Sequence, residues 1–287
     1  MFACVLTCSP ETPALEAPLV KALRNGWGGG EARWLSPDAA AEFPVASMPD
    51  NLDAVRADLD GMGIDVNVVP AAGRTKRLLL ADMDSTMIRQ ECIDELADVA
   101  GVGEQVATIT ARAMNDEIDF EGALRERVAL LAGLDAGMID RVIAERITMM
   151  PGGAVLVRTM KAHGARAALV SGGFTAFTSA VAARLGFDEN RANTLLIKNG
   201  RLTGRVGEPI LGREAKVTAL RQISAAMGIE PADVIAVGDG ANDLDMLRLA
   251  GMGVALHAKP AVQAAARLRV NHGDLTALLH LQGLTPE

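Results

Sequence analysis

Tyrosine is absent from this 287-residue chain, and with two tryptophans and six phenylalanines the packing must fall almost entirely to aliphatic side chains. Basic residues are in deficit, 28 Lys and Arg against 36 Asp and Glu, and no Lys/Arg-rich block occurs. A formal net charge of −8 without such a block argues against a nucleic-acid partner held through phosphate contacts. It does not exclude a phosphorylated small molecule, because a bound divalent cation reverses the local field. Cysteine is scarce as well: Cys4, Cys8 and Cys92 form neither a paired framework nor a CxxC spacing, which suits reduced thiols in a cytoplasmic protein. Apolar runs of membrane-spanning length are missing, and the opening MFACVLTCSPET has no basic region followed by a long apolar stretch. A cytoplasmic protein with no membrane partner is therefore expected.

Apolar residues make up 49% of the chain and charged ones 22%, the balance of a folded globular protein long enough for a main catalytic domain and a smaller one. Residues 1–72 read as a small α+β unit: strands near Phe2–Thr7, Ala32–Leu35 and Ile64–Val69, helices near Leu15–Arg24 and Leu52–Met62. Pro70-Ala-Ala-Gly73 marks a linker, and residues 73–287 form the second domain. There, short apolar strands at Arg77–Ala81, Arg166–Val170, Val234–Val237 and Met252–Leu256 alternate with helical patterns. That alternation predicts an α/β fold with a Rossmann-like, doubly wound parallel sheet. Residues 91–150 carry only amphipathic helical segments, such as Cys92–Val99, Phe120–Leu131 and Met138–Arg146, and read as a helical cap inserted over one edge.

The residues that carry chemistry gather at strand ends, where ligands bind in open α/β sheets. Asp82-Met-Asp84-Ser-Thr86 follows the first strand of the second domain. Two acids there are costly unless a cation or proton compensates them; one can attack phosphorus while the other moves protons, or the pair can simply cap a helix. Gly238-Asp-Gly-Ala-Asn-Asp243 follows Val234–Val237, with Asp239, Asn242 and Asp243 as hard oxygen ligands or turn-forming caps. Val170-Ser-Gly-Gly-Phe174 ends a third strand, where the Ser171 hydroxyl and the glycine amides are suited to phosphoryl oxygens. Lys216 starts a helical pattern and is either a fixed positive charge for that group or one more solvated lysine. His163, His257, His272 and His280 lie outside these motifs and are given no catalytic role.

In this order, Asp82-x-Asp84-x-Thr86, Ser171, Lys216 and Gly238-Asp239-x-x-x-Asp243 resemble the haloacid-dehalogenase-like (HAD-like) phosphohydrolases. The resemblance narrows to the phosphoserine phosphatases through Asp82-Met-Asp-Ser-Thr-Met-Ile, Glu91-Cys-Ile-Asp-Glu-Leu-Ala, Phe120-Glu-Gly-Ala-Leu-Arg-Glu-Arg-Val128, Val170-Ser-Gly-Gly-Phe174, Leu202-Thr-Gly204 and Val237-Gly-Asp-Gly-Ala-Asn-Asp243. It runs from roughly Arg77 to the C-terminus, with Met87 where the family more often has Leu. It implies Asp82 as the nucleophile that forms an aspartyl-phosphate and Asp84 as the acid and then base. It also implies Mg²⁺ on Asp82, the Asp84 carbonyl and Asp239 with support from Asp243, and Ser171, Gly172, Lys216 and Asn242 around the phosphoryl group. In the cap it implies Glu91 for the substrate ammonium and Arg127 for its carboxylate, making O-phosphoserine the expected substrate. Arg125, in the same helix, reads as part of a charged outer face with Glu121 and Glu126, while Met114 and Phe120 are candidates to close the pocket or to pack in the core.

The family's amino-terminal region has a βαββαβ ferredoxin-like pattern, of which residues 1–72 look like a shortened ACT-like form with one strand not found. A regulatory amino-acid site, a structural role and a homodimer through this unit all fit. The competing functions are a phosphatase or phosphotransferase for another phosphorylated amino acid, such as phosphohomoserine or phosphothreonine, and a non-catalytic amino-acid sensor. An intact Asp82, Asp84, Lys216 and Asp239 speaks against the sensor.

Overall fold

The computed structural model describes residues 1–115 and 117–287. The first elements are β1 (Phe2–Cys8), α1 (Ala17–Gly26), β2 (Arg33–Ser36), β3 (Ala40–Val45), α2 (Leu52–Asp60) and β4 (Ile64–Pro70). They form a small N-terminal antiparallel-sheet domain with strand order β2-β3-β1-β4. The βαββαβ pattern is therefore complete rather than shortened, and the missing strand is β3. Its sequence, Ala-Ala-Glu-Phe-Pro-Val, hides a strand because Glu42 breaks the apolar run and Pro44 is a poor member of an interior strand. Glu42 is tolerated there because Arg33 and Arg74 each reach it at 2.6 Å; burial pushes its carboxyl up, and the two guanidiniums outweigh that and hold it low.

The chain continues through β5 (Leu78–Ala81), α3 (Cys92–Ala100), α4 (Gly103–Met114), α5 (Phe120–Ala129), α6 (Gly137–Glu145), α7 (Gly153–Ala162), β6 (Arg166–Phe174), α8 (Thr175–Leu185) and β7 (Glu189–Asn193). A hairpin follows, β8 (Leu195–Lys198) and β9 (Arg201–Val206), then α9 (Arg213–Met227), β10 (Val234–Gly238), α10 (Leu244–Leu249), β11 (Met252–Leu256), α11 (Pro260–Ala265), β12 (Leu268–Val270) and α12 (Ala277–Leu281). Six strands make an all-parallel sheet in the order β12-β11-β10-β5-β6-β7. The chain winds outward from β5 in one direction and then from β10 in the other, so the topological switch point lies between β5 and β10. Both strands are buried on both faces, as parallel strands covered by helices must be.

Helices α3–α6 sit between β5 and α7, and the two segments joining them to the sheet pair with each other: Ile88 bridges Met149, the Arg89 amide donates to the Thr148 carbonyl at 3.0 Å and the Met150 amide to the Met87 carbonyl at 2.9 Å. The hairpin β8–β9, which has no counterpart in the sequence reading because three of the four β8 residues are exposed and do not alternate, docks on these helices. Gly133 donates to the Leu202 carbonyl at 2.8 Å, Leu202 to Leu134 at 2.9 Å and Ala136 to Gly200 at 2.8 Å.

The N-terminal sheet is fastened to the edge of the parallel sheet by two buried side chains of β4. Asn67 donates to the Arg269 carbonyl at 2.7 Å and accepts from the Arg269 amide at 3.0 Å, acting as a one-residue strand partner for the β12 edge. Asp65, 6% exposed, accepts the backbone N–H groups of Asn271, His272 and Gly273 at 2.7, 2.9 and 2.9 Å. Asp65→Ala leaves those three donors with no partner beneath the interface. A loss of about 3 kcal/mol in unfolding free energy is expected, together with faster proteolysis of the N-terminal sheet; an unchanged urea midpoint would show that solvent replaces the carboxylate at no cost.

Candidate active site

Strand register brings the three motifs together. Ala81 lies opposite Val237 on one side and Leu169 on the other, so the next residues of each chain segment, Asp82, Gly238–Asp239 and Val170–Ser171, emerge side by side at the C-terminal ends of β5, β10 and β6. The Asp82 amide still donates to the Val237 carbonyl at 3.0 Å, continuing the ladder one residue past the strand. Gly238 is required by space: a Cβ there would lie 2.3 Å from the Asp243 carboxyl carbon.

Lys216, from the first turns of α9, is 2% exposed and points its ammonium between two carboxylates, 2.8 Å from Asp82 Oδ1 and 2.6 Å from Asp243 Oδ1. Burial by itself lowers the lysine, but Asp82 and Asp243 outweigh it and raise its pKa, so it stays charged. Asp82 also accepts the Met83 amide at 2.8 Å, and Asp243, fully buried, accepts the Gly240 amide at 3.0 Å. Asp239 accepts the hydroxyl of the buried Thr86 at 3.0 Å, which ties the two acidic motifs directly.

Oxygen atoms of Asp82, Asp239 and Asp243 all lie within 4.8 Å of one another. One ammonium does not balance three carboxylates, two of them buried and Asp239 partly so. Burial and then Asp243 push Asp82 well above the ordinary carboxylate range, and the same two causes push Asp239 up to about 6. An all-oxygen, charge-deficient cluster of this kind fits a hard divalent cation, which would relieve both shifts.

Asp84 stands apart from this cluster. Its Oδ1 accepts the Cys92 amide at 3.0 Å, and its Oδ2 is 3.4 Å from the Ser171 hydroxyl. Burial, followed by the charge of Glu91, raises it to about 7, a value suited to a group that must give and take a proton near neutrality. Ser171 is buried and its Oγ accepts the Gly173 amide at 2.9 Å. Asn242 is half-buried, with its Oδ1 against Gly240.

The cap contributes the remaining groups. Glu91 precedes α3 in an extended conformation and does not cap it; its carboxylate instead accepts the Ser85 hydroxyl at 2.7 Å. Asp119 caps α5 by accepting the Gly122 amide at 2.7 Å, which starts the helix at Phe120 and places Arg127 two turns later. The Arg127 guanidinium donates to the Ala123 carbonyl at 3.2 Å and lies 3.5 Å from the Thr110 hydroxyl. Burial lowers its pKa, with Asp94, Glu91 and Asp84 acting against that, so it faces the acidic groups of the site without being neutralised by a direct ion pair among the described residues. Arg125 turns outward to Glu121 at 3.1 Å and Glu208 at 2.9 Å, as its outer-face reading expects, although Glu126 pairs with Arg112 instead. The Phe120 ring lies over Gly172 and Gly212, whereas Met114 is 67% exposed and does not pack in the core. Two groups escaped the sequence reading: Thr86, present in its motif but given no partner, and Asn193, which carries no motif at all.

A profile of the haloacid dehalogenase-like hydrolases matches residues 79–248, a span that contains every one of these groups. Phosphoserine phosphatases are among the curated relatives. The one from Streptomyces coelicolor is 46% identical over 88% of this chain, which spans 62% of that protein's length. The one from Albidiferax ferrireducens is 49% identical over 71% of this chain and 89% of its own. Among solved structures, a HAD family hydrolase from Salmonella enterica serovar Typhi superposes with a TM-score of 0.88 at 28% identity, covering 98% of both chains. A phospho-aspartyl intermediate analogue of phosphoserine phosphatase superposes with a TM-score of 0.67 at 40% identity, over 72% of this chain and 98% of the other. With the profile covering more than half of its length and the acid–ammonium cluster at the switch point of its sheet, the chain belongs to the haloacid dehalogenase-like hydrolases.

Proposed function

We propose that the protein is a phosphoserine phosphatase, hydrolysing O-phospho-L-serine to L-serine and inorganic phosphate in the last step of serine biosynthesis. The observation that carries this reading is a buried Asp82–Lys216–Asp243 cluster beside Asp84, together with a cap whose anion Glu91 and cation Arg127 both lie near enough to Asp84 to interact with its charge. A zwitterionic phosphomonoester satisfies all three at once. The relatives named phosphoserine phosphatase support the same substrate.

In this reading Asp82 attacks phosphorus, the bond to the serine oxygen breaks, and Asp84 delivers its proton to that oxygen. Asp84, now ionised, takes a proton from water as the water attacks the aspartyl-phosphate, and Asp82 is released with inorganic phosphate. Ser171, the Gly172 amide, Lys216 and Asn242 hold the phosphoryl oxygens, Glu91 the ammonium and Arg127 the carboxylate. Mg²⁺, held by Asp82, the Asp84 carbonyl and Asp239 with Asp243 behind them, would supply charge neutralisation for the phosphoryl group. We assign residues 1–72 as an ACT-like unit with a regulatory or dimerising role, since β2 leaves an open sheet edge beside the half-exposed Trp34. A cytoplasmic location is supported by three buried, unpaired thiols.

Three outcomes test the proposal. In a phosphate-release panel of phosphorylated amino acids and sugars with Mg²⁺, phosphoserine is turned over fastest, and both chelation and Asp82→Asn abolish release. Preference for phosphothreonine, phosphohomoserine or a sugar phosphate would reassign the substrate, and full activity of Asp82→Asn would reject the nucleophile. Arg127→Ala lowers the rate on phosphoserine by about a hundredfold relative to phosphoethanolamine, which has no carboxylate to lose; equal losses on both would remove Arg127 from carboxylate recognition. Finally, Asp84 is mostly protonated below about 7 and ionised above it. Phosphoenzyme formation should therefore slow, and its hydrolysis quicken, as pH rises from about 6 to 8 in rapid-quench measurements; two flat profiles would mean that another group carries the proton.

A further inference from the structure

Asn193 ends β7, is 2% exposed, and commits both side-chain donors and its carbonyl oxygen to two loops of the site. Its Nδ2 donates to the Gly172 carbonyl at 2.8 Å and to the Leu211 carbonyl at 3.1 Å, while its Oδ1 accepts the Leu211 amide at 2.7 Å. Leu211 immediately precedes Gly212, the residue that opens the helix bearing Lys216. The amide thus joins the phosphoryl-binding loop to the entrance of α9.

The consequence for the loop follows from peptide geometry. In a trans peptide the C=O and N–H point in opposite directions, so fixing both fixes the plane. The Gly172–Gly173 peptide is held by Asn193 at its carbonyl and by Ser171 Oγ at its N–H, 2.9 Å away. The serine oxygen accepts there while its own proton is donated toward Asp84 Oδ2, 3.4 Å away. Removing Asn193 frees the peptide to rotate, and with it the Ser171 hydroxyl.

Asn193 also closes a neck. Residues 194–210 leave the sheet and return, and their β8–β9 hairpin is hydrogen-bonded to the cap at Gly133, Leu134 and Ala136. Any displacement of the cap pulls on this excursion, whose two ends meet at Asn193 and Leu211. We propose that Asn193 is a positioning residue for phosphoryl transfer: it locks the Gly172 peptide to the Lys216 helix and shields both from movement of the cap-bound hairpin. The inference rests on the phosphoryl site proposed above, though not on which phosphomonoester is bound there.

The test uses the full chain with Mg²⁺ and whichever phosphomonoester the wild type turns over fastest. Asn193→Ala should lower kcat by about tenfold or more, with KM changed by less than about threefold, because misplaced donors matter most in the transition state. Inhibition by orthovanadate, a mimic of pentacoordinate phosphorus, should weaken by a similar factor. Asn193→Asp, which keeps the size and the acceptor for Leu211 but has no donor for Gly172, should behave the same and serves as the readout if the alanine variant is poorly folded. Thr178→Val removes a hydroxyl hydrogen bond to the same strand, 2.8 Å to Asn190, and should destabilise the chain while leaving kcat and vanadate inhibition unchanged. Folded Asn193 variants with wild-type kcat and vanadate inhibition would overturn the proposal, as would losses that Thr178→Val reproduces. A wild type with no phosphatase activity and no vanadate inhibition would instead overturn the phosphoryl site and this inference together.

Discussion

Everything at the top of the parallel sheet depends on one buried ammonium. Lys216 touches Asp82 and Asp243 within hydrogen-bonding distance, and the three residues arrive from three separate segments, α9, the end of β5 and the turn after β10. A buried ion pair is a poor source of net stability, since desolvation offsets most of the attraction, but breaking one partner leaves an unpaired charge in the interior. The cluster therefore acts as a constraint more than as a glue. With Asp239 added, the site is left one ammonium against three carboxylates, and burial, followed by the charge of Asp243, raises the proton affinities of Asp82 and Asp239. A divalent cation would cancel that deficit, whereas a phosphate dianion without one would deepen it, so the cluster is arranged to favour a cation.

Register explains why so much of this was legible from the residues. Short apolar strands followed at once by acid-rich turns are local patterns, and parallel pairing of β5 with β10 and β6 then places their C-terminal ends together without any further information. Asp82, Asp84, Ser171 and Asp239 needed only that topology. Lys216 needed a long-range judgement, since a lysine in the first turns of a helix has no local mark of burial. Glu91 and Arg127 needed more again, for their placement depends on how the cap folds back, and only the family resemblance singled out Arg127 over Arg125.

What could not be read was whatever breaks its own local pattern. The strand Ala40–Val45 holds a glutamate and a proline, and it sits between β1 and β2 with Glu42 compensated by Arg33 and Arg74 from elsewhere in the chain. The hairpin Leu195–Val206 alternates poorly because only Leu195, Leu202 and Val206 reach the core, while the rest of its pairing is with the cap backbone. Asn193 is the clearest instance. One buried asparagine without neighbours of similar chemistry looks like an ordinary strand end, and its importance lies wholly in three hydrogen bonds to residues 18 and 21 positions away.

These contrasts divide the site into two parts with different physical characters. The floor is built from groups that are buried, doubly tied and mutually dependent: Asp82, Asp243, Lys216, Thr86 and Ser171 each have a fixed partner. The ceiling is built from groups held lightly, with Glu91 resting on one serine hydroxyl and Arg127 on a carbonyl of its own helix. Pre-organised donors accelerate a reaction because they need not rearrange as charge develops, whereas a recognition surface that must admit and release its ligand cannot be equally rigid. Phe120 marks the boundary, a cap side chain resting on Gly172 and Gly212 of the floor. With Arg127 in the role proposed for it, a substitution in α5 would change what is admitted while the acid–ammonium cluster stays as it was.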